Sequence, residues 1–122
     1  MHEIKFRAWD KIEKKWINNV LYSSEWQQFC YVQNNSFIWQ DKNNFNIVEY
    51  TGLKDKNRKE IFEKDIIILN KLDDRKFVVI ENYLDWYGSH EYCLHCEIGN
   101  IEDDIEIIGN IYENPELLNE KY

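Results

Sequence analysis

The sequence predicts a mainly β fold, a small barrel or roll of short antiparallel strands with one short C-terminal helix and irregular excursions. Three observations lead there. Short apolar stretches with period-two alternation recur along the chain and are separated by polar turns. β-Branched and aromatic side chains are abundant, the aromatics alone making up 16% of residues. A length of 122 residues with 43% apolar content suits one core, and so one domain over residues 1–122.

The elements follow in order. Ile4, Phe6 and Ala8 alternate with Lys5, Arg7 and Trp9, the pattern of a strand with one buried face. Asp10 to Lys15 (DKIEKK) forms a charged turn, and Trp16, Ile17, Val20 and Leu21 suit the returning strand. From Tyr22 to Asn44 the pattern is weak. Trp26, Phe29, Tyr31, Phe37 and Trp39 are scattered among Ser, Gln and Asn, which predicts irregular loops with short strands, or a short helix starting near Ser23 or Ser24. Phe45 to Tyr50 alternates again and is interrupted at Thr51-Gly52. Lys54 to Lys59 (KDKNRK) reads as a solvated turn, with Asn57 the residue best able to adopt a positive φ.

The continuous apolar run Ile66 to Leu69 predicts a well-buried strand, and Phe77 to Ile80, Tyr92 to Ile98 and Glu106 to Tyr112 predict three more. Over Ile101 to Ile108, Ile101, Ile105 and Ile107 lie among Glu102, Asp103, Asp104 and Glu106, acids that should face water. Asn114-Pro115-Glu116-Leu117-Leu118 carries a helix-start signal: Asn as N-cap, Pro at the first position, an acid in the first turn.

Composition excludes several function classes. The chain has 15 Lys and Arg against 23 Asp and Glu, a formal net charge of -8. The excess is local: up to Lys76 there are 14 basic and 12 acidic residues, and from Phe77 onward 1 and 11. Such a C-terminal part repels phosphate, so no direct nucleic-acid contact is expected. No stretch approaches the roughly 20 apolar residues of a membrane helix, and the residues after Met1 lack the apolar run of a signal peptide. Three cysteines, Cys30, Cys93 and Cys96, give no disulfide framework. A cytoplasmic protein is expected, in contact with neither membrane nor nucleic acid, and the sequence leaves homo-oligomer formation open. There is no glycine-rich phosphate loop.

Among chemical motifs, His90, Cys93, His95 and Cys96 (SHEYCLHC) stand out, because thiolate and imidazole are the ligands zinc prefers. A second half-site is missing, and on a strand Cys93 and His95 would face away from Cys96, so packed thiols and a surface His are the favoured reading and no cofactor is expected. A redox role for the same cysteines is disfavoured by Glu91 and Glu97, which oppose thiolate formation. Glu102, Asp103 and Asp104 lack the spacing of a calcium loop. Trp86 and Tyr87 lie near acidic residues and would suit a basic peptide, although tryptophans are more often core. No catalytic set emerges, and a non-enzyme is expected.

Three blocks carry a family resemblance: IKFRAWD (Ile4 to Asp10), YTGLKDKNRKEIFEKDI (Tyr50 to Ile66) and IIGNIYENPELL (Ile107 to Leu118). In this order they resemble the YopX family of bacteriophage and prophage proteins. The resemblance implies an SH3-like barrel and brings no established activity. This chain departs from the family pattern at Arg58 and Lys64, where the family typically has Gly. With Arg58 in place, either Asn57 alone carries the left-handed conformation or the turn has opened. Most residues in the blocks are packing and turn residues: Tyr50, Leu53, Ile61, Phe62 and Ile66 in the centre, and Ile107, Ile108, Ile111, Leu117 and Leu118 at the end.

The expected function is a phage or prophage accessory protein acting as an interaction module. Trp86, Tyr87, Glu102, Asp103 and Asp104 are its candidate contact residues toward a host or phage protein, and a decoy mimicking nucleic-acid charge is its sharper form. The competing classes are a small-ligand or nucleotide-binding barrel and a metal-binding protein.

Overall fold

The computed structural model describes residues 5–23, 25–69, 75–80, 83–86, 89–93 and 101–118, with backbone alone for part of the C-terminal strands. It is mainly β. The described residues form eleven strands: β1 (Phe6–Asp10), β2 (Lys15–Ser23), β3 (Gln28–Gln33), β4 (Ser36–Asp41), β5 (Phe45–Lys54), β6 (Glu60–Phe62), β7 (Asp65–Leu69), β8 (Phe77–Ile80), β9 (Tyr83–Trp86), β10 (Ser89–Cys93) and β11 (Ile105–Asn110). They form two antiparallel sheets with strand orders β4-β3-β2-β1-β5-β6 and β10-β9-β8-β7-β11, rather than a closed barrel. The chain gathers into two compact units, one within residues 3–50 and one within residues 51–122. The boundary falls inside β5.

In the first unit, β1 lies between β2 and the start of β5. Ala8 and Val20 pack with Phe29, and the half-buried Phe6, Ile17, Tyr22, Tyr31, Phe45 and Ile47 close round them. Trp9, expected on the polar face, is buried too; its ring meets that of Trp16 at 5.1 Å, and the Arg7 guanidinium lies 3.9 Å over Trp16. The opposite face of β1 is therefore covered by aromatic surface. The expected turn at residues 11–14 is held by Asp10, whose Oδ1 accepts the N–H groups of Ile12 and Glu13, both at 2.9 Å. β2 contains one extra residue opposite β1, since Phe6 pairs with Val20 but Arg7 with Asn18. Asn19 fills the bulge with φ 57°, a conformation Asn tolerates. Beyond it β2 leaves β1 and pairs with β3 through Leu21, Tyr22 and Ser23.

The second unit is built round Ile61, Ile67, Leu69, Phe77, Val79, Leu84 and Ile105, with Leu53 and Ile107 packed against them. Full burial of each large side chain contributes about 1.5–3 kcal/mol. β5 is not interrupted at Thr51-Gly52. It runs on to Lys54, with Gly52 at φ 92°, and Thr51 becomes part of the interior: its hydroxyl donates to the Ile61 carbonyl at 2.7 Å and accepts the Leu53 N–H. β9 was not foreseen, because Asp85 breaks its apolar pattern. The strand expected over Tyr92 to Ile98 is β10, placed earlier at Ser89–Cys93, and residues 94–98 lie outside the described residues. The helix signal at Asn114 yields only a 3-10 turn, Pro115–Leu118.

Candidate interaction surface

The segment that was hardest to read, residues 22–44, holds the most exposed apolar surface. No helix starts at Ser23. Ser23 ends β2, and its hydroxyl accepts the Trp26 N–H at 3.2 Å, tightening the turn into β3. Asn34 and Asn35 both have positive φ (52° and 63°), the signature of a type I′ hairpin turn, and Gln33 pairs with Ser36 across it. The β3–β4 hairpin that follows pairs in register down to Gln28 and Asp41, and the Lys42 N–H continues the ladder to the Gln27 carbonyl at 3.2 Å.

Directly opposed residues share a sheet face. On the inner face Phe29 is fully buried, meets the Phe45 ring edge-on at 4.8 Å and stacks on Tyr31 at 6.2 Å. The outer face carries two cross-strand rows. Leu21, Cys30 and Trp39 form one, and Val32 and Phe37 the other. Leu21 (66%), Trp39 (53%), Val32 (65%) and Phe37 (68%) are largely exposed, with Cys30 buried between its row-mates. Trp26, on the neighbouring turn, is also exposed. Large apolar side chains gathered on one face, rather than scattered singly, are the mark of an interaction surface. Trp26 and Trp39, expected mostly in the core, are both exposed, and no sequence signal marks the exposure of Leu21, Val32 and Phe37. For the hairpin itself the Asn-Asn pair was the available signal, since it fixes the register and so the rows.

The charged groups of the family blocks do structural work. Asp55 is buried, not part of a solvated turn: Oδ1 accepts the N–H groups of Asn57 and Lys59 at 2.9 Å, and Oδ2 accepts that of Ile107 at 3.1 Å. With the Lys56 N–H donating to the Ile105 carbonyl at 2.8 Å, the tip between β5 and β6 caps the outer edge of β11. Lys56 also pairs with Glu106 at 3.3 Å. Asn57 does not carry the left-handed conformation, nor has the turn opened. Arg58 itself adopts φ 67° and Lys64 φ 71°, so both non-glycine replacements keep the conformation a glycine would take.

Buried Asp65 accepts the Phe62 N–H at 2.8 Å. Asn110 organises the last turn: its Oδ1 accepts from Tyr112 and Glu113 at 3.0 and 2.9 Å, and its Nδ2 donates to Glu113 at 2.8 Å. The Asn114 side chain reaches back to accept the Asn110 N–H at 3.2 Å, in place of the forward N-cap expected of it. These oxygens are committed to backbone donors, an arrangement that shapes turns.

The sequence-derived site residues fall only partly within the described residues. Trp86 ends β9, and His90 and Cys93 lie on β10; only their backbone placement is described. Tyr87, His95 and Cys96 lie outside the described residues. Glu102, Asp103 and Asp104 occupy a 3-10 turn at Ile101–Asp104, where Asp103 is exposed and Asp104 half-buried. Among the described residues no group of three or more His, Cys, Asp or Glu side chains is arranged to hold a metal. Among those residues too, no helix is long and apolar enough to cross a membrane.

Comparison with known proteins adds a family and a fold relative. The YopX protein family model matches residues 5–119. The crystal structure of protein EF1440 from Enterococcus faecalis superposes with a TM-score of 0.64 at 25% sequence identity, covering 97% of this chain and 99% of that one. No curated protein matches the sequence.

Proposed function

The chain belongs to the YopX family, and from that premise we propose that it is a non-enzymatic interaction module, a phage or prophage accessory protein of the bacterial cytoplasm that works by binding another protein chain. The exposed outer face of the β2–β3–β4 region supports this reading most directly. Four large apolar side chains are held there by a defined hairpin register, while Phe29 and Tyr31 supply the core from the other face. Interfaces of this kind draw their affinity from aromatic anchors, and Phe37 and Trp39 are the aromatic residues on this face. The acidic C-terminal part contributes long-range charge that favours basic partners. The decoy form of the reading needs those acids to form one contiguous surface.

The test is a comparison of tagged wild type with a Phe37→Ser/Trp39→Ser variant as baits in bacterial lysate. A partner enriched by wild type and reduced about tenfold or more by the variant is the expected result, because anchor residues dominate binding energy. Equal recovery by both baits, with the variant folded, overturns the reading.

A further inference from the structure

Resting on the interaction-module reading, we infer that the partner of this surface is a second copy of the chain, with β4 pairing antiparallel to β4 of the partner subunit about a two-fold axis at Ile38. Among the described residues β4 is the edge of its sheet. A two-residue hairpin loop closes on a hydrogen-bonded pair, here Gln33 and Ser36, and the Lys42 N–H to Gln27 carbonyl bond confirms the phase at the far end. The even-numbered residues of β4 therefore bond to β3, and the backbone groups of Phe37, Trp39 and Asp41 point to the open edge.

Natural edges are guarded by charge, proline or bulges. From Ser36 to Gln40 this one has no charge and no proline, and its pairing with β3 is regular throughout. Moreover, β3 is paired to β2 only through Gln28, Phe29 and Cys30, so the remainder of the hairpin is a two-stranded ribbon, which is marginal in water unless covered.

The symmetry of a homodimer selects the register. Exact two-fold pairing requires a residue to face its own copy. With Ile38 on the axis, Phe37 lies opposite Trp39 of the partner subunit and Trp39 opposite Phe37 of the partner subunit. Two aromatic cross-strand pairs form, the outer faces of the two ribbons become continuous, and Asp41 stays beyond the paired stretch. With Trp39 on the axis, each Phe37 would meet Asp41 of the partner subunit, a ring against a carboxylate. Charge also permits self-pairing at this place: the chain repels itself overall, yet the paired stretch is neutral.

Of the exposed apolar residues only Phe37 and Trp39 border this seam, while Leu21 and Val32 stay on the open outer face of the extended sheet. The seam is therefore smaller than a standard interface and in the range of weak association, so dissociation on the order of micromolar or weaker is expected.

Sedimentation velocity on the full chain from about 1 to about 200 µM is expected to show a reversible monomer–dimer equilibrium. Phe37→Pro removes an N–H that faces the open edge while leaving the β3 ladder intact, and it should abolish the dimer. Trp39→Lys provides a second break at an exposed position. Ile38→Cys should cross-link to its own copy under mild oxidation, since opposed residues approach to about 4.5 Å between Cα atoms. A wild type that stays monomeric over the whole range overturns the inference, and so does a dimer unaffected by both variants while their circular dichroism is native. A monomer that still captures a protein lost with Phe37→Ser/Trp39→Ser overturns the second-copy inference and leaves the module reading standing.

Discussion

The outer edges of β11 and β4 present the same backbone groups and are treated in opposite ways. At β11 the chain supplies its own partners: Asp55 takes the Ile107 N–H and Lys56 donates to the Ile105 carbonyl. At β4 no strand among the described residues continues the sheet, and Phe37 and Trp39 are exposed beside the edge. A buried carboxylate with three backbone donors is costly to assemble, because burying it requires every bond to be made. The chain makes that investment where an edge is closed and not where apolar side chains are displayed. Asp55 thus closes the β11 edge from within the chain, and on the reading proposed above the β4 edge is the one left for a partner.

The strongest way to break this contrast is Asp55→Ala. It leaves three backbone N–H groups without their acceptor and opens β11. A loss of about 3–4 kcal/mol is expected in urea unfolding, on the scale of one to two kcal/mol per buried unsatisfied group with partial relaxation. New self-association that does not depend on Trp39 should accompany it, read by sedimentation of an Asp55→Ala/Trp39→Lys double variant.

Gly109→Ala should come next. An added Cβ would lie 2.5 Å from Asn114 Oδ1, and the bond from the Asn110 N–H would have to break. A cost of about 2 kcal/mol follows from overpacking together with a lost hydrogen bond, measurable by the same unfolding curves. Smaller and opposite in sign, Arg58→Gly and Lys64→Gly should each stabilise by about 1 kcal/mol, because both positions hold left-handed backbone that strains a side-chain-bearing residue. Thermal unfolding of the two single variants checks this. Smallest is Trp39→Lys, within about 0.5 kcal/mol of wild type in stability because the ring is exposed. A large destabilisation there would show that the ring belongs to the fold and not to a surface.

Much of the scaffold was legible in the sequence. Ile66 to Leu69 could only be a buried strand, and DKIEKK between two alternating stretches could only be a hairpin turn; the structure has both. The β3–β4 ribbon was not, for a physical reason. Period-two alternation signals a strand only when one face is apolar and the other polar. Here Phe29 and Tyr31 point inward while Leu21, Val32, Phe37 and Trp39 point outward, so the contrast vanishes. Asp55 was hidden differently. Its neighbours Lys56, Asn57, Arg58 and Lys59 are all exposed, and a single buried acid inside a solvated run has no composition signal. Its spacing before Asn57 and Lys59 was the clue, the local pattern by which an Asp side chain closes its own turn. The exposed aromatics were misjudged because burial tendencies describe populations of residues, and an interaction surface is where the exceptions collect.

The bond from Ile107 to Asp55 spans 52 residues of sequence. During synthesis at about 5–20 residues per second, Asp55 is made roughly 3–10 seconds before the strand that completes its shell. Through that interval the nascent chain holds a carboxylate whose final donor does not yet exist, while the residues of the β3–β4 ribbon have already been translated. The apolar ribbon therefore emerges from the ribosome ahead of the element that closes the other sheet. Closure of the β11 edge thus waits on a strand made about 52 residues after the carboxylate that receives it.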